Sequence, residues 1–247
     1  MGRSEDTGSG TSCSQDTSEA ATGRSDAGHT RLLLASASPR RRRLLGCLGV
    51  PYDTTSVETA EELTPGEEPQ ALAIAIAAEK AVAARAELSA EERETRLIVA
   101  CDTIVVLDGE VLGKPADLED AYRMLRALSG RTHQVVTAVA LLDADDREPE
   151  AFAVTTRVRM RELSDADIDE WAAKGELLGC AGAYNIESQI ASVDEDECFQ
   201  NVAGLPLCHL YRTLAERGLA EVESPVDACD ALRCASCVLG RKLAEEE

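Results

Sequence analysis

The stretch Arg31–Val50, "RLLLASASPRRRRLLGCLGV", decides how the rest of the chain is read. "RLLLA" is a short aliphatic run, the pattern of a buried strand. "SAS" is a small polar turn. After it Ser38 stands at the N-cap position, Pro39 at the first helical position and Gly49 near the helix stop. A strand that feeds a helix through a polar turn collects unpaired N–H groups and partial positive charge at one point. With hydroxyls and guanidiniums beside it, such a point seats a phosphate. The alternative from local sequence alone is a surface helix with a solvated basic face. Four successive arginines cannot all point one way on a helix, so at most two share a ligand-facing side.

The setting makes that cluster more informative. The 247-residue chain has 46 acidic and 25 basic side chains and a net charge of −21, yet Arg31, Arg40, Arg41, Arg42 and Arg43 fall within thirteen positions. The overall charge repels a phosphate backbone at long range and argues against a nucleic-acid partner. A local basic pocket for a small anion is unaffected, because the distant field is screened. Aromatics are only 3% of residues, which predicts an aliphatic core. No apolar run is long enough to cross a bilayer and the N-terminus lacks a signal-peptide layout, so a cytoplasmic protein with no membrane partner is expected. Nine cysteines, an odd number set mostly singly in apolar contexts, predict reduced thiols filling core positions.

Working outward, residues 1–30 are rich in Ser, Thr, Gly and Asp and are predicted to be a disordered leader. A domain spanning 31–220 follows, and a cysteine-containing tail occupies 221–247. Within the domain, "YDTTSV" reads as a strand and "EPQALAIAIAAEKAVAARAEL" as a helix. "RLIVACDTIVVLDGEVLGKP" reads as two β-runs joined at a "DG" hairpin signal. "ADLEDAYRMLRALSG" is an amphipathic helix, "THQVVTAVALLD" and "AFAVTTRVRMREL" are paired strands, and "SDADIDEWAAKGE" is a Ser-capped helix with an acidic first turn. "LPLCHLYRTLAERGL" supplies a last core helix. This alternation predicts an α/β domain.

Asp102-Thr103, in "VACDTIVV", is the second informative site. An acid directly after an apolar strand segment costs free energy to bury unless it is paired, metal-bound or catalytic. A strand-end aspartate capping a turn is the alternative for Asp102 alone. Lys114 after the hairpin and Glu61 and Lys80 around the preceding helix enlarge the set to what hydrolysis of a metal-bound polyphosphate requires: carboxylates for ion and water, cations for the leaving phosphates. The third candidate is "CDALRCASC", where Cys229, Cys234 and Cys237 match one iron–sulfur spacing and Cys208 and His209 stand nearby in sequence. No second Cys-x2-Cys pair exists, so a short terminal helix with inward thiols is the preferred reading. His133 and His209 are read as structural.

Taken together, "LLLASASPRRRRLL", "AAEKA", "CDTIVVLDGEVLGKPADLEDAYRMLRALSGRTHQVVTAV", "GCAGAYNIE" and "NVAGLPL" resemble, in order, the motifs of the Maf family of nucleoside triphosphate pyrophosphatases. The likeness covers about residues 31–217. It implies an elongated mixed β-sheet flanked by helices, inosine triphosphatase-like, with two lobes and a central cleft. It implies cleavage between the α and β phosphates with Mg²⁺ or Mn²⁺, giving a nucleoside monophosphate and pyrophosphate. Carried over by position, Ser36, Ser38, Arg40 and Arg41 form the phosphate-binding turn, with Arg42 and Arg43 at the surface. Lys80 and Thr103 line the cleft, Lys114 contacts phosphate, Asp102 is base or metal anchor, and Glu61 is a second metal ligand. Glu187 falls where members acting on dTTP and UTP carry Gln, whereas 7-methyl-GTP members carry an acid there and a Cys-Ala-Gly like Cys180-Ala181-Gly182. Arg40, often replaced by an aromatic in that second branch, points the other way, so the base preference stays open. A homodimer is compatible with the resemblance but rests on no motif. The rival reading is a nucleotide-binding regulator of cell division with little turnover.

Overall fold

The computed structural model describes residues 31–57, 59, 67–219, 222–233 and 236–245; the predicted leader, Glu61 and Cys234 lie outside the described residues. In chain order the elements are β1 (Arg31–Ala35), α1 (Pro39–Gly46), β2 (Tyr52–Thr55), α2 (Pro69–Glu87), α3 (Ala90–Thr95), β3 (Arg96–Leu107), β4 (Glu110–Leu112) and α4 (Leu118–Leu128). There follow β5 (Thr132–Leu142), β6 (Glu150–Met160), α5 (Asp165–Ala172), β7 (Ala191–Val193), α6 (Phe199–Val202), α7 (Leu207–Glu216), α8 (Val226–Arg233) and α9 (Val238–Glu245). The fold is α/β, as the alternation predicts.

The strands form one mixed sheet in the order β2-β1-β3-β5-β6-β7, with β4 also paired to β3. β1 runs parallel to β2 and β3, while β3, β5, β6 and β7 are successively antiparallel. The β3–β4 hairpin turns at Asp108 and Gly109, both at positive φ (53° and 85°), the conformation that makes Asp-Gly a favoured hairpin pair. The sequence motif and the turn therefore share one steric cause.

The two faces of the sheet are packed differently. On one, α2 lays a stripe of Leu72, Ala73, Ile76, Ala77, Ala81 and Ala84 against Ile98, Ala100, Ile104 and Val106 of β3. Small residues at helical spacing let this helix approach closely, and Lys80 occupies the same stripe. The other face carries the larger core: Leu32 and Leu34 of β1, Leu44 and Leu45 of α1, Met124, Leu125 and Leu128 of α4, and Leu210 and Leu214 of α7. Each such fully buried Leu contributes roughly 1.5–3 kcal/mol.

Several helix starts follow their sequence signals. The Ser38 side chain accepts from the backbone N of Arg41, and Pro39 is the first helical residue. Ser164 and Asp167 form a reciprocal capping box at α5. Beyond α7 the chain adds α8 and α9. The backbone N–H of Glu223 donates to the Leu48 carbonyl at 2.9 Å, and Cys229 and Cys237 are buried in the larger core. No helix among the described residues is long and apolar enough to cross a membrane.

Candidate active site

Register explains where the cleft lies. β1 ends at Ala35, opposite Ala100 of β3, whereas β4 pairs with β3 only from Val105 onward. Between them, the edge of β3 at Cys101–Ile104 has no partner strand among the described residues, although its other edge is paired with β5 throughout. A chain gap beside a strand that continues is where an open α/β sheet forms a crevice. The crevice here is a cleft of about 770 Å³.

Strand alternation then sends adjacent residues to opposite faces. Asp102 turns toward α2, where its Oδ1 receives the Lys80 ammonium at 2.7 Å. Both side chains are buried, at 8% and 11% exposure. Thr103 turns the other way, toward α1. There Arg41 donates from Nη2 to Thr103 Oγ1 at 2.9 Å, from Nε to the Gly204 carbonyl at 2.8 Å and from Nη1 to Ser36 Oγ at 3.3 Å. All three acceptors are neutral, so the fork is fixed in place while its positive charge is not cancelled. Gly204 sits at φ +104°, and a Cβ there would lie 3.3 Å from Arg41 Nε. A side chain would disturb the clamp as well as the backbone.

The Thr103 hydroxyl continues inward. It lies 3.0 Å from Thr137 Oγ1, which donates to the Asn201 carbonyl at 2.8 Å. Thr137 has one proton and gives it to Asn201, so Thr103 donates to Thr137 while accepting from Arg41. Asn201, fully buried, donates from Nδ2 to the Val135 carbonyl and to Thr156 Oγ1, each at 3.1 Å. The chain from Arg41 to Thr156 ties the first turn of α1 to β3, β5, β6 and α6.

The structure brings Ser36, Ser38, Arg40, Arg41, Lys80, Asp102, Thr103 and Lys114 to one cleft wall or another. Among described residues the lining thus holds four cationic side chains and one carboxylate. Glu187 is not among the lining residues; its carboxylate pairs with Arg43 on the exposed side of α1. Arg42 is also exposed and donates to the Ala37 carbonyl.

Sequence reasoning missed Thr59 and Tyr184 of the lining and the Thr137–Asn201–Thr156 network behind it, while Cys180 of the Cys-Ala-Gly motif does line the cleft. Threonine inside the otherwise apolar "VVTAVALL" was the signal for Thr137. Among the described residues, Thr59 Oγ1 is buried without a hydrogen-bond partner. The Tyr184 hydroxyl meets His133 Nε2 at 2.7 Å, edge-on ring to ring. Burial pushes His133 down to about 4 and the Tyr184 phenol upward. Burial likewise raises the Cys180 thiol, against the opposing pull of Arg40, and raises Cys101 to about 11.

An α/β fold with a crevice lined, among the described residues, by four cationic side chains and one buried carboxylate has the chemistry of a small-anion site. The chain belongs to the Maf family: the model described as "Maf-like protein" matches residues 31–217. It is similar to a "dTTP/UTP pyrophosphatase" of Syntrophomonas wolfei, 46% identical over 187 residues, covering 75% of this chain and 96% of that protein. Proteins of the same description from Geobacter metallireducens (41% identical; 77% and 97% covered) and Anaeromyxobacter dehalogenans (46%; 76% and 94%) also match.

Proposed function

We propose that this chain is a nucleoside triphosphate pyrophosphatase whose substrates are dTTP and UTP. The observation that carries the reading is the Lys80–Asp102 pair placed across the cleft from the Arg41 clamp. The relatives supply the base: each bears the description "dTTP/UTP pyrophosphatase". Glu187 turned to Arg43 supports the same choice, because the carboxylate invoked for a guanine edge is engaged outside the cleft lining.

The residues divide the work as follows. Arg40, Arg41 and Lys114, with the Ser36 and Ser38 hydroxyls at the start of α1, hold the triphosphate and offset charge on the departing pyrophosphate. Lys80 fixes Asp102 through Oδ1, which leaves Oδ2 to take a proton from the attacking water. Water oxygen bonds to the α-phosphorus as the bond to the bridging α–β oxygen breaks. Products are the nucleoside monophosphate and pyrophosphate.

The donor set fits a divalent ion brought in by the substrate. Among the described residues no group of three or more His, Cys, Asp or Glu is arranged to hold a metal. Mg²⁺ is commonly held by one or two carboxylates with phosphates and water, and Asp102 is the carboxylate on hand. Such an ion, when bound, neutralises phosphate charge and polarises the phosphoryl group.

Pyrophosphate release with Mg²⁺ or Mn²⁺ across dTTP, UTP, CTP, GTP and 7-methyl-GTP tests the reading, with Asp102→Asn as control. Fastest turnover of dTTP and UTP is expected. Preference for 7-methyl-GTP overturns the base assignment, and tight nucleotide binding without release from any substrate favours a regulatory protein instead.

A further inference from the structure

Two hydrogen-bonded routes leave the Arg41 guanidinium and end on one atom. From Nη2 the route runs through Thr103 Oγ1 and Thr137 Oγ1 to the Asn201 carbonyl. From Nε it runs to the Gly204 carbonyl, and the Gly204 N–H donates to that same Asn201 carbonyl at 3.0 Å. Asn201 is anchored in turn by its side-chain amide. Nδ2 bridges Val135 of β5 and Thr156 of β6, which face each other across the ladder, and Thr156 Oγ1 donates onward to the Cys198 carbonyl at 3.1 Å. Among the described residues Asn201 Oδ1 has no partner, so the amide is held for its donors.

None of Thr137, Thr156 and Asn201 reaches the cleft: each is fully buried and outside its lining. A buried hydroxyl is costly unless paired, and Val has nearly the same shape without that demand. Thr103 and Thr137 stand directly opposite on β3 and β5, where valine would satisfy packing alone. What the hydroxyls add is direction. Thr137 gives its one proton to Asn201 and so accepts from Thr103, which turns the Thr103 lone pairs to Arg41.

We propose that Thr137 and Asn201 are positioning residues for the phosphate seat: they aim the Arg41 guanidinium at the anion without touching the anion themselves. The inference rests on the reading of Arg41 as a ligand of the departing pyrophosphate. The acceptors that hold Arg41 are neutral, so a small shift of its fork moves a full positive charge relative to the phosphates. The two routes hold that fork from Nη2 and from Nε, and both depend on where the Asn201 carbonyl stands.

Calorimetric titration of the full-length protein with inorganic pyrophosphate and Mg²⁺ reads the seat without turnover, and at a temperature where every variant is folded it is blind to stability. Thr137→Val keeps the shape and removes the hydroxyl; its pyrophosphate Kd should rise about tenfold, and Thr137→Ser should restore it to within about twofold. In an Arg41→Lys background, where the fork that meets Thr103 is gone, Thr137→Val should add less than about twofold. Should Thr137→Val not fold, Thr156→Val carries the test, with a rise of about threefold that the Arg41→Lys background again cancels. Unchanged affinity in the valine variant, or the same loss in both backgrounds, overturns the proposal. Turnover of dTTP by the wild type is followed alongside: its absence counts against the pyrophosphatase reading alone, because the titration still decides the positioning role.

Discussion

Two ion pairs bracket α1 and its cleft, and their difference separates charge that works from charge that decorates. Lys80–Asp102 is 11% and 8% exposed, crosses from α2 to the middle of β3 and has its partners locked by core on each side. Arg43–Glu187 is 45% and 33% exposed and joins the outer side of α1 to a turn near β7. Water screens the second and barely reaches the first. A buried pair gains little over an apolar pair of the same shape, because desolvation offsets most of the attraction. Its presence in an alanine-lined stripe, where Leu or Met would pack at lower cost, supports the proposed role of Asp102 in the reaction.

The largest break in the comparison is Asp102→Asn. The amide keeps an oxygen opposite Lys80 and the shape of β3, but it cannot take a proton from water. Pyrophosphate release should fall about 10³-fold, equivalent to about 4 kcal/mol of transition-state stabilisation, with an unchanged far-UV spectrum. Wild-type rates at saturating metal would sink the assignment. Lys80→Met comes next. It leaves the Asp102 carboxylate without its cation and should cost about 3 kcal/mol in urea denaturation. The double variant Lys80→Met/Asp102→Leu should recover most of that stability and no activity. If the single and double variants are equally unstable, the pair contributes packing alone and the contrast with Arg43–Glu187 disappears.

A third contact shows burial acting without an opposite charge. Among the described residues the His133 side chain hydrogen-bonds only to the Tyr184 hydroxyl, and burial depresses it to about 4 from an ordinary 6.5. The unfolded chain therefore binds a proton that the folded chain refuses between those values. Stability present above pH 6.5 is lost as pH falls toward 4, by about 2 kcal/mol between pH 7 and pH 5. His133→Phe should flatten that part of the curve. Parallel wild-type and variant profiles of chemical denaturation over this range would show that the histidine is not the group responsible.

These contrasts also mark what a reader of the sequence can and cannot see. The strand–turn–helix at Arg31–Gly46 is legible because Ser38, Pro39 and the aliphatic run act locally, and the Asp108-Gly109 turn is legible for the same reason. Asp102 is visible as an acid in an apolar run. Lys80 is visible as a cation of the same set, but its pairing with Asp102 is not, since the two lie 22 positions apart and only the close approach of α2 brings them together. The crevice depends on β1 stopping opposite Ala100 while β4 reaches back along β3 only as far as Val105, a register no local pattern encodes. Asn201 sits within the quoted "NVAGLPL", yet its role behind Arg41 emerges only when four elements meet. Glu187 stands at a motif position linked to base choice, and only the fold shows its carboxylate paired with Arg43.

Glu187→Gln gives the smallest effect and the finest test. Loss of an exposed pair should change stability by under about 1 kcal/mol. Because Glu187 lies outside the cleft lining, kcat/KM for dTTP and UTP should stay within about threefold, and their ratio to 7-methyl-GTP should hold. The Arg43→Ala variant provides the control, since it releases the carboxylate without altering it. Should both substitutions shift the dTTP to 7-methyl-GTP ratio about tenfold or more, in opposite directions, the pair would be acting as a latch that withholds a carboxylate from the base. The exposed pair would then carry specificity while the buried pair carries rate, and exposure alone would no longer tell the two apart.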